Sequence, residues 1–251
     1  MSKEEVGHHF LARLGKTRLR PGGRRATEWL IEQGQFTAQK TVLEVACNMG
    51  TTAIGIAKQF GCAIEGVDLD EVALENAQAN IQQQGVADKI HVQRANATRL
   101  PFADQQFDIV LNEAMLTMLP WEAKQKAVAE YFRVLKPHGV LLTQDVMLVE
   151  EESEQTLSEM RDAIHLNVTP LTRQGWENLF KQQGFVHLKS LFGEMTLLSP
   201  KGLLYDEGLW GSLKILKNGM KPENREQFKK MVKTFNHPKQ PLNFIAICSY
   251  K

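Results

Sequence analysis

The sequence predicts an α/β protein built on an open, mostly parallel sheet, and three observations carry that prediction. Short β-type runs alternate with helix-spaced segments from residue 41 to about residue 192. A turn of small residues, Glu44-Val45-Ala46-Cys47-Asn48-Met49-Gly50, follows the first run. An acidic residue, Asp68, closes the second. Strands alternating with helices imply a parallel sheet with right-handed crossovers, and ligands of such sheets bind outside the carboxyl ends of the strands.

The elements follow in order. Thr41 to Ala46 is an apolar run, and Ala53, Ile56, Ala57 and Phe60 then share one helical face. Ala63 to Asp68 reads as the second strand, and Ala73, Ala77 and Ile81 mark the next helix in i+4 steps. Lys89 to Gln93 and Phe107 to Leu111 are the third and fourth strands. Pro120 opens a helix whose expected buried face is Val128, Tyr131, Phe132 and Leu135. Pro137, His138 and Gly139 end it ahead of a fifth strand, Val140 to Gln144.

Beyond that strand, Leu157, Met160 and Ile164 mark a helix outside the simple alternation. Thr172 suits the N-cap of a helix burying Trp176, Leu179 and Phe180, with Gly184 at its end. Phe185 to Leu191 and Leu242 to Ser249 complete seven strands. The long stretch between these last two includes a helix after Pro222 that buries Phe228, Met231, Val232 and Phe235. The chain therefore reads as one domain, 1–251. Residues 1–35 form an N-terminal helical cap, 40–192 a cofactor-binding core, 193–240 a helical insertion expected to cap the substrate, and 241–251 the last strand.

Bulk properties exclude several classes. Of 251 residues, 43% are hydrophobic and 24% charged, ordinary values for a globular protein with a full core. A formal charge of +1 gives no global case for nucleic acid. No apolar run approaches the roughly 18 residues of a membrane span, and Met1 to Phe10 has no secretory h-region. Cys47, Cys62 and Cys248 are scattered without metal-type spacing, so no metal site is expected. Such cysteines favour a reducing compartment, with the cytosol as the default. One local exception to the neutral charge is Lys16, Arg18, Arg20, Arg24 and Arg25. This basic turn suits either a lid gripping an anionic group or an ordinary solvated turn.

The chemistry centres on three strand ends. The Glu44–Gly50 turn aims backbone N–H groups and a helix N-terminus at whatever binds there. Gly50 is its one glycine, Asn48 is a residue type that tolerates positive φ, and Thr51 and Thr52 add hydroxyls. Ala46 costs little unless its position needs positive φ. The same residues also suit a tight βα turn without a ligand. Asp68, eighteen residues after Gly50, can accept both hydroxyls of a ribose, or cap the following helix, a task Asp70 performs equally well. Asn96-Ala97, after the third strand, offers an amide and an N–H to an adenine edge, or forms a polar turn.

Four segments in order carry a family resemblance: VLEVACNMGTTAIGIA, GVDLDEVALENAQANI, ANATRLPFADQQFDIVLNEAMLTML and YFRVLKPHGVLLTQD. Together they resemble class I, Rossmann-like S-adenosylmethionine-dependent methyltransferases, in the branch that includes quinone-biosynthesis and other small-molecule enzymes. The resemblance covers about residues 40–190, and LTRQGWENLFKQQGF extends it. It implies that Glu44, Ala46 and Gly50, with Cys47, Asn48 and Thr51 beside them, shape the pocket for the methionine moiety. Asp68 would hold the ribose, Leu69 pack on the adenine, and Asn96 and Ala97 read its edge. Asn112 and Glu113 would face the methionine moiety and the transferred methyl. The family more often has glycines at the positions of Ala46 and Asn48, and an Asp at that of Asn96.

The expected function is methyl transfer from S-adenosylmethionine to a small molecule, with S-adenosylhomocysteine as product. A homodimer is one assembly open to the chain. The candidate general bases are Glu113 and Asp145, each of which also suits cofactor contact or capping. His138 falls at the opposite end of the fifth strand, and His165 on the extra helix. Tyr205, Leu209 and Trp210 are apolar lid candidates. Two rival readings are a non-catalytic cofactor-binding or scaffolding protein and a nucleotide-dependent oxidoreductase. The missing dinucleotide glycine pattern counts against the last.

Overall fold

The computed structural model describes residues 7–17, 19–150, 157–158, 161–162, 168–235 and 242–251. Met160, Ile164, His165 and Arg18 lie outside them, so the helix expected around Met160 is not placed.

Two short helices, α1 (Gly7–Leu14) and α2 (Gly23–Gly34), precede the sheet. Strands and helices then alternate: β1 (Thr41–Val45), α3 (Thr51–Phe60), β2 (Ala63–Asp68), α4 (Glu71–Gln83), β3 (Ile90–Arg94) and β4 (Phe107–Glu113). A single 3-10 turn, Leu116–Met118, leads to α5 (Trp121–Val134) and β5 (Leu135–Leu148). The two-residue β6 (Leu171–Thr172) runs into α6 (Arg173–Gln182) and β7 (Val186–Glu194). Helices α7 (Pro200–Gly219) and α8 (Arg225–Phe235) separate β7 from β8 (Leu242–Tyr250).

The sheet order is β3-β2-β1-β4-β5-β8-β7, with β6 pairing β5 at one end. β1 through β5 run parallel, and β8 is antiparallel to both β5 and β7. The seven expected strands are present, with β6 as a short addition. Because β1 pairs with both β2 and β4, the connections diverge at β1 and open a crevice above its carboxyl end.

Alternation along each central strand sorts the core into two layers. Val42, Ile109, Leu142 and Ala246 face α1 to α4, α7 and α8, whereas Leu43, Val110, Leu141 and Ile245 face α5 and α6. Trp176 on α6 is buried in the second layer, and its indole N–H donates to Val146 O at 3.0 Å. Truncating such a side chain to alanine costs about 3–5 kcal/mol.

Local signals set the helix ends. Asp70 accepts from Val72 N and Ala73 N and caps α4, which leaves Asp68 free of that task. Thr172 accepts from Gly175 N and caps α6. Pro120 occupies the N-cap position of α5.

Two expectations about α5 and β5 are corrected. The helix ends at Val134, so Leu135 begins the strand, and Phe132 is only half-buried. Pro137, His138 and Gly139 lie inside β5, where the pairing jumps from Phe107–Leu135 to Ile109–Val140. This irregularity absorbs the proline, which a regular central ladder would not accept. His138 sits in it at φ 65°, exposed at the amino end of the sheet.

Candidate functional site

The loop after β1 is wound through left-handed backbone. Ala46, Asn48 and Gly50 have φ of 59°, 48° and 72°. Glycine and asparagine take that conformation easily, but alanine does so at a cost of about 1–2 kcal/mol. Ala46 is therefore a strained position, and the condition under which it is costless does not hold. Strain of this kind persists where surrounding contacts over-determine the backbone. Here Glu44 Oε2 accepts from Ala53 N at 3.0 Å, and Asp68 Oδ2 accepts from Asn48 N at 2.9 Å.

A cavity opens above this loop. Its walls are Glu44, Ala46, Cys47, Asn48, Met49 and Thr51 from the loop, with Asp68 and Asp70 from the end of β2. Glu113, Ala114, Met115 and Met118 follow β4, and Thr17, Leu19 and Arg20 come from the N-terminal segment. Seven of the residues expected at the site therefore meet in one cavity: Glu44, Ala46, Cys47, Asn48, Thr51, Asp68 and Glu113.

Other expected residues lie around it. Gly50 supplies the turn rather than a wall. Leu69 is half-exposed beside Asp68. Asn96 Oδ1 accepts from both the N–H and the hydroxyl of Thr98, so it closes its own turn next to Ala97. Asn112 is buried, and its amide donates to Val45 O at 2.9 Å, tying β4 to β1, while its Oδ1 has no partner.

The carboxylates differ in what holds them. Glu113 is buried and accepts four hydrogen bonds. Thr27 Oγ1 at 2.6 Å and Gln144 Nε2 at 2.8 Å meet Oε1; Thr52 Oγ1 at 3.0 Å and Arg20 Nε at 2.9 Å meet Oε2. Glu44 is fully buried, and desolvation pushes its carboxyl up to about 8, partly opposed by Arg20 and reinforced by Glu113. Burial likewise pushes the Cys47 thiol up, which makes it a packing group rather than a nucleophile.

Asp145 does not line the cavity. Its oxygens accept from Thr117 N at 3.0 Å and Val146 N at 2.8 Å, so it anchors the turn after β4. Burial raises its carboxyl, offset in part by the nearby Lys124. Lys124 is itself lowered to about 8 by burial and donates to Leu119 O and Thr169 Oγ1.

Sequence reasoning missed how the N-terminal segment is fastened. Lys16 is fully buried, with its ammonium 3.4 Å from both Asp206 and Glu207 of α7. Glu207 also accepts from Thr17 N and Thr17 Oγ1, at 3.0 and 2.7 Å. Asp206 accepts from Arg24 N at 2.8 Å and so caps α2 across space, where Gly22 offers no side-chain cap. Gly23 leaves room for this: a Cβ there would lie 2.5 Å from Asp206 Oδ1. The segment thus spans from the cavity wall at Thr17 and Arg20 to the middle of α7. Its cluster of cations was the only local hint.

A switch-point crevice, a left-handed loop and an acidic strand end define a Rossmann-like fold whose crevice has the form of a nucleoside-cofactor site. Residues 42–139 match the methyltransferase domain model. Over all 251 residues the chain is 67% identical to an uncharacterized protein of Haemophilus influenzae, each chain being covered completely. It is 40% identical over 114 residues to demethylmenaquinone methyltransferase of Lactiplantibacillus plantarum, covering 45% of this chain and 47% of that one. A solved geranyl diphosphate methyltransferase in complex with S-adenosylmethionine superposes with a TM-score of 0.68 at 14% identity, covering 90% of this chain and 84% of that one. The chain spans about half the length of the first named curated relatives it matches. Residues 42–139 thus resemble a methyltransferase domain, and the fold is that of solved S-adenosylmethionine-dependent methyltransferases.

Proposed function

We propose that the chain transfers the methyl group of S-adenosylmethionine to a small-molecule acceptor and releases S-adenosylhomocysteine. The observation that carries this is a cavity that joins the left-handed loop, Asp68 and the Arg20–Glu113 pair. Asp68 and Asp70 line its wall, and Glu44 beside them can give up its proton to a cation, which suits a ligand with a sulfonium and an ammonium group.

In this reading Asp68 takes the ribose hydroxyls, Leu69 covers the adenine, and Asn96 and Ala97 stand at its edge. Glu44 faces the ammonium, Asn112 holds the loop against β4, and Gly50, Asn48, Cys47 and Thr51 shape the methionine end. Arg20 donates to Glu113 through Nε, and its terminal nitrogens remain for the cofactor's carboxylate. Glu113 is a positioning residue: with four donors on it, no lone pair is left to take a proton from an acceptor. Asp145, outside the cavity, supports the turn carrying Met118 and is not assigned as a base.

The bound cofactor supplies an electrophilic methyl on a sulfonium. The protein's share is to fix the acceptor in line and exclude water. We assign that share to residues 1–35 and 193–240 acting together as a cap, since Lys16, Thr17 and Arg24 join the two. Thermal shift tests the cofactor: S-adenosylhomocysteine should raise the unfolding midpoint and NAD should leave it unchanged. A metabolite screen for S-adenosylhomocysteine release tests the reaction. A chain that ignores S-adenosylhomocysteine while NAD stabilises it would overturn the proposal.

A further inference from the structure

Helix α7 is broken at Gly208, whose φ of 69° and ψ of −179° split it into two parts. The first part carries Asp206 and Glu207 and is fastened to the N-terminal segment. The second buries Ser212, Ile215 and Gly219 and turns the rest of its surface outward.

That outward surface is apolar. Leu209, Leu213, Leu216 and Met220 follow one another at helical spacing and are each close to half-exposed or more, with Trp210 82% exposed beside them. Scattered exposed apolar side chains are ordinary, but a contiguous stripe on one helix marks an interaction surface. Lys214, Lys217 and Lys221 flank the stripe and are exposed. No acidic residue occurs from Gly208 to Pro222.

We propose that this half of α7 seats the protein on an anionic lipid bilayer, independently of the methyl-transfer reading. An apolar stripe with a tryptophan and a rim of lysines is the pattern of a helix lying in a bilayer interface. Indole sits at the headgroup level, and each lysine gains from an anionic surface. A second copy fits the face poorly. In a two-fold contact the same lysines would approach one another, with no carboxylate in the stretch to pair with them. Among the described residues no helix is long and apolar enough to cross a membrane, so the contact is a surface one.

Flotation with phosphatidylglycerol and with phosphatidylcholine vesicles tests this on the full chain. Binding to the anionic vesicles should be tighter by on the order of a hundredfold, as three lysines near the surface imply, and should weaken as salt is raised. The emission of Trp210 should shift to the blue on binding, and Trp210→Phe should remove that shift. Leu213→Glu with Leu216→Glu should abolish binding, and Lys217→Glu with Lys221→Glu should remove the lipid preference. Both pairs are exposed, so the thermal midpoint should hold. Equal affinity for the two vesicles, no affinity for either, or unchanged binding by the folded variants would overturn the proposal. So would a dimer in light scattering that the leucine variant dissolves while vesicles capture nothing.

Discussion

Arg20 Nε lies 2.9 Å from Glu113 Oε2, which joins the segment before the sheet to the carboxyl end of β4. Both side chains are largely withdrawn from water, so each depends on the other. Removing one partner of such a pair leaves a buried charge uncompensated, at a cost of about 3–5 kcal/mol. Glu113→Ala should therefore lower the unfolding midpoint by several degrees and open the N-terminal segment to proteolysis. Arg20→Lys should keep the fold but weaken cofactor binding, because an ammonium cannot serve Glu113 and a ligand carboxylate in the same fork. A Lys variant with unchanged affinity by calorimetry would place the carboxylate partner elsewhere.

Asp68→Ala should weaken S-adenosylmethionine binding at least about tenfold, since charge-assisted bonds to a sugar diol contribute roughly 1.5–3 kcal/mol. Asp68 also accepts from Asn48 N and Asp70 N, so alanine loosens the loop as well as losing the ligand contact. Asp68→Asn keeps an acceptor for one of these and should retain more affinity than Asp68→Ala. Calorimetry on the two variants separates the charge from the loop.

Glu44 predicts a pH dependence. Its carboxyl is raised from 4.5 to about 8 by burial, so between these values the folded chain holds a proton that the unfolded chain has released. Stability from this group is fully present below about 4.5 and is lost as pH rises through about 8. Glu44→Gln should remove that part of the slope in denaturant midpoints measured from pH 5 to 8. If Glu44 faces the cofactor's ammonium, affinity should rise with pH over the same window, and the variant should lose this dependence. Calorimetry in buffers of different ionisation enthalpy would detect the proton released on binding.

Ala46→Gly should stabilise the protein by about 0.5–1 kcal/mol. It relieves a left-handed alanine at φ 59°, less the extra chain entropy that glycine brings to the unfolded state. Urea midpoints measure this directly. A loss of stability would mean that the Ala46 methyl packs well enough to outweigh its backbone cost.

Local chemistry made much of the fold legible. The alternation of Val42 with Leu43 and of Ile109 with Val110 reads directly as two faces of a sheet, and the caps Asp70 and Thr172 act within three residues of their own positions. The site was legible where its residues sit at strand ends, as Glu44, Asp68 and Glu113 do. Ala46 carries no side-chain signal of its φ, which the loop closure around it imposes. Pro137 signalled a break, but the ladder absorbed it as an irregularity. The fastening of Lys16 to Asp206 spans 190 residues and leaves no periodic trace in the sequence. Only packing the insertion against the N-terminal segment reveals it.

That fastening gives the last prediction. Lys16, Asp206 and Glu207 are buried together, with Thr17 and Arg24 N supplying further donors to the two carboxylates. Lys16→Met removes the buried ammonium that Asp206 shares with Glu207 and should destabilise by about 3–5 kcal/mol. Adding Asp206→Asn and Glu207→Gln removes the stranded charges, and the triple variant should recover most of the loss, since neutral groups still accept from Thr17 and Arg24 N. The functional consequence follows from Thr17 and Arg20, which line the cavity. Freeing the segment should therefore weaken cofactor binding as well as methyl transfer, so deleting 193–240 would not spare the cofactor as a detached cap would. Cofactor affinity by calorimetry, compared between Lys16→Met and the triple variant, decides it. If affinity falls in the first and returns in the second, the N-terminal segment and α7 act as one cap. Full affinity in Lys16→Met would show that the cavity wall holds its shape without the buried ion cluster.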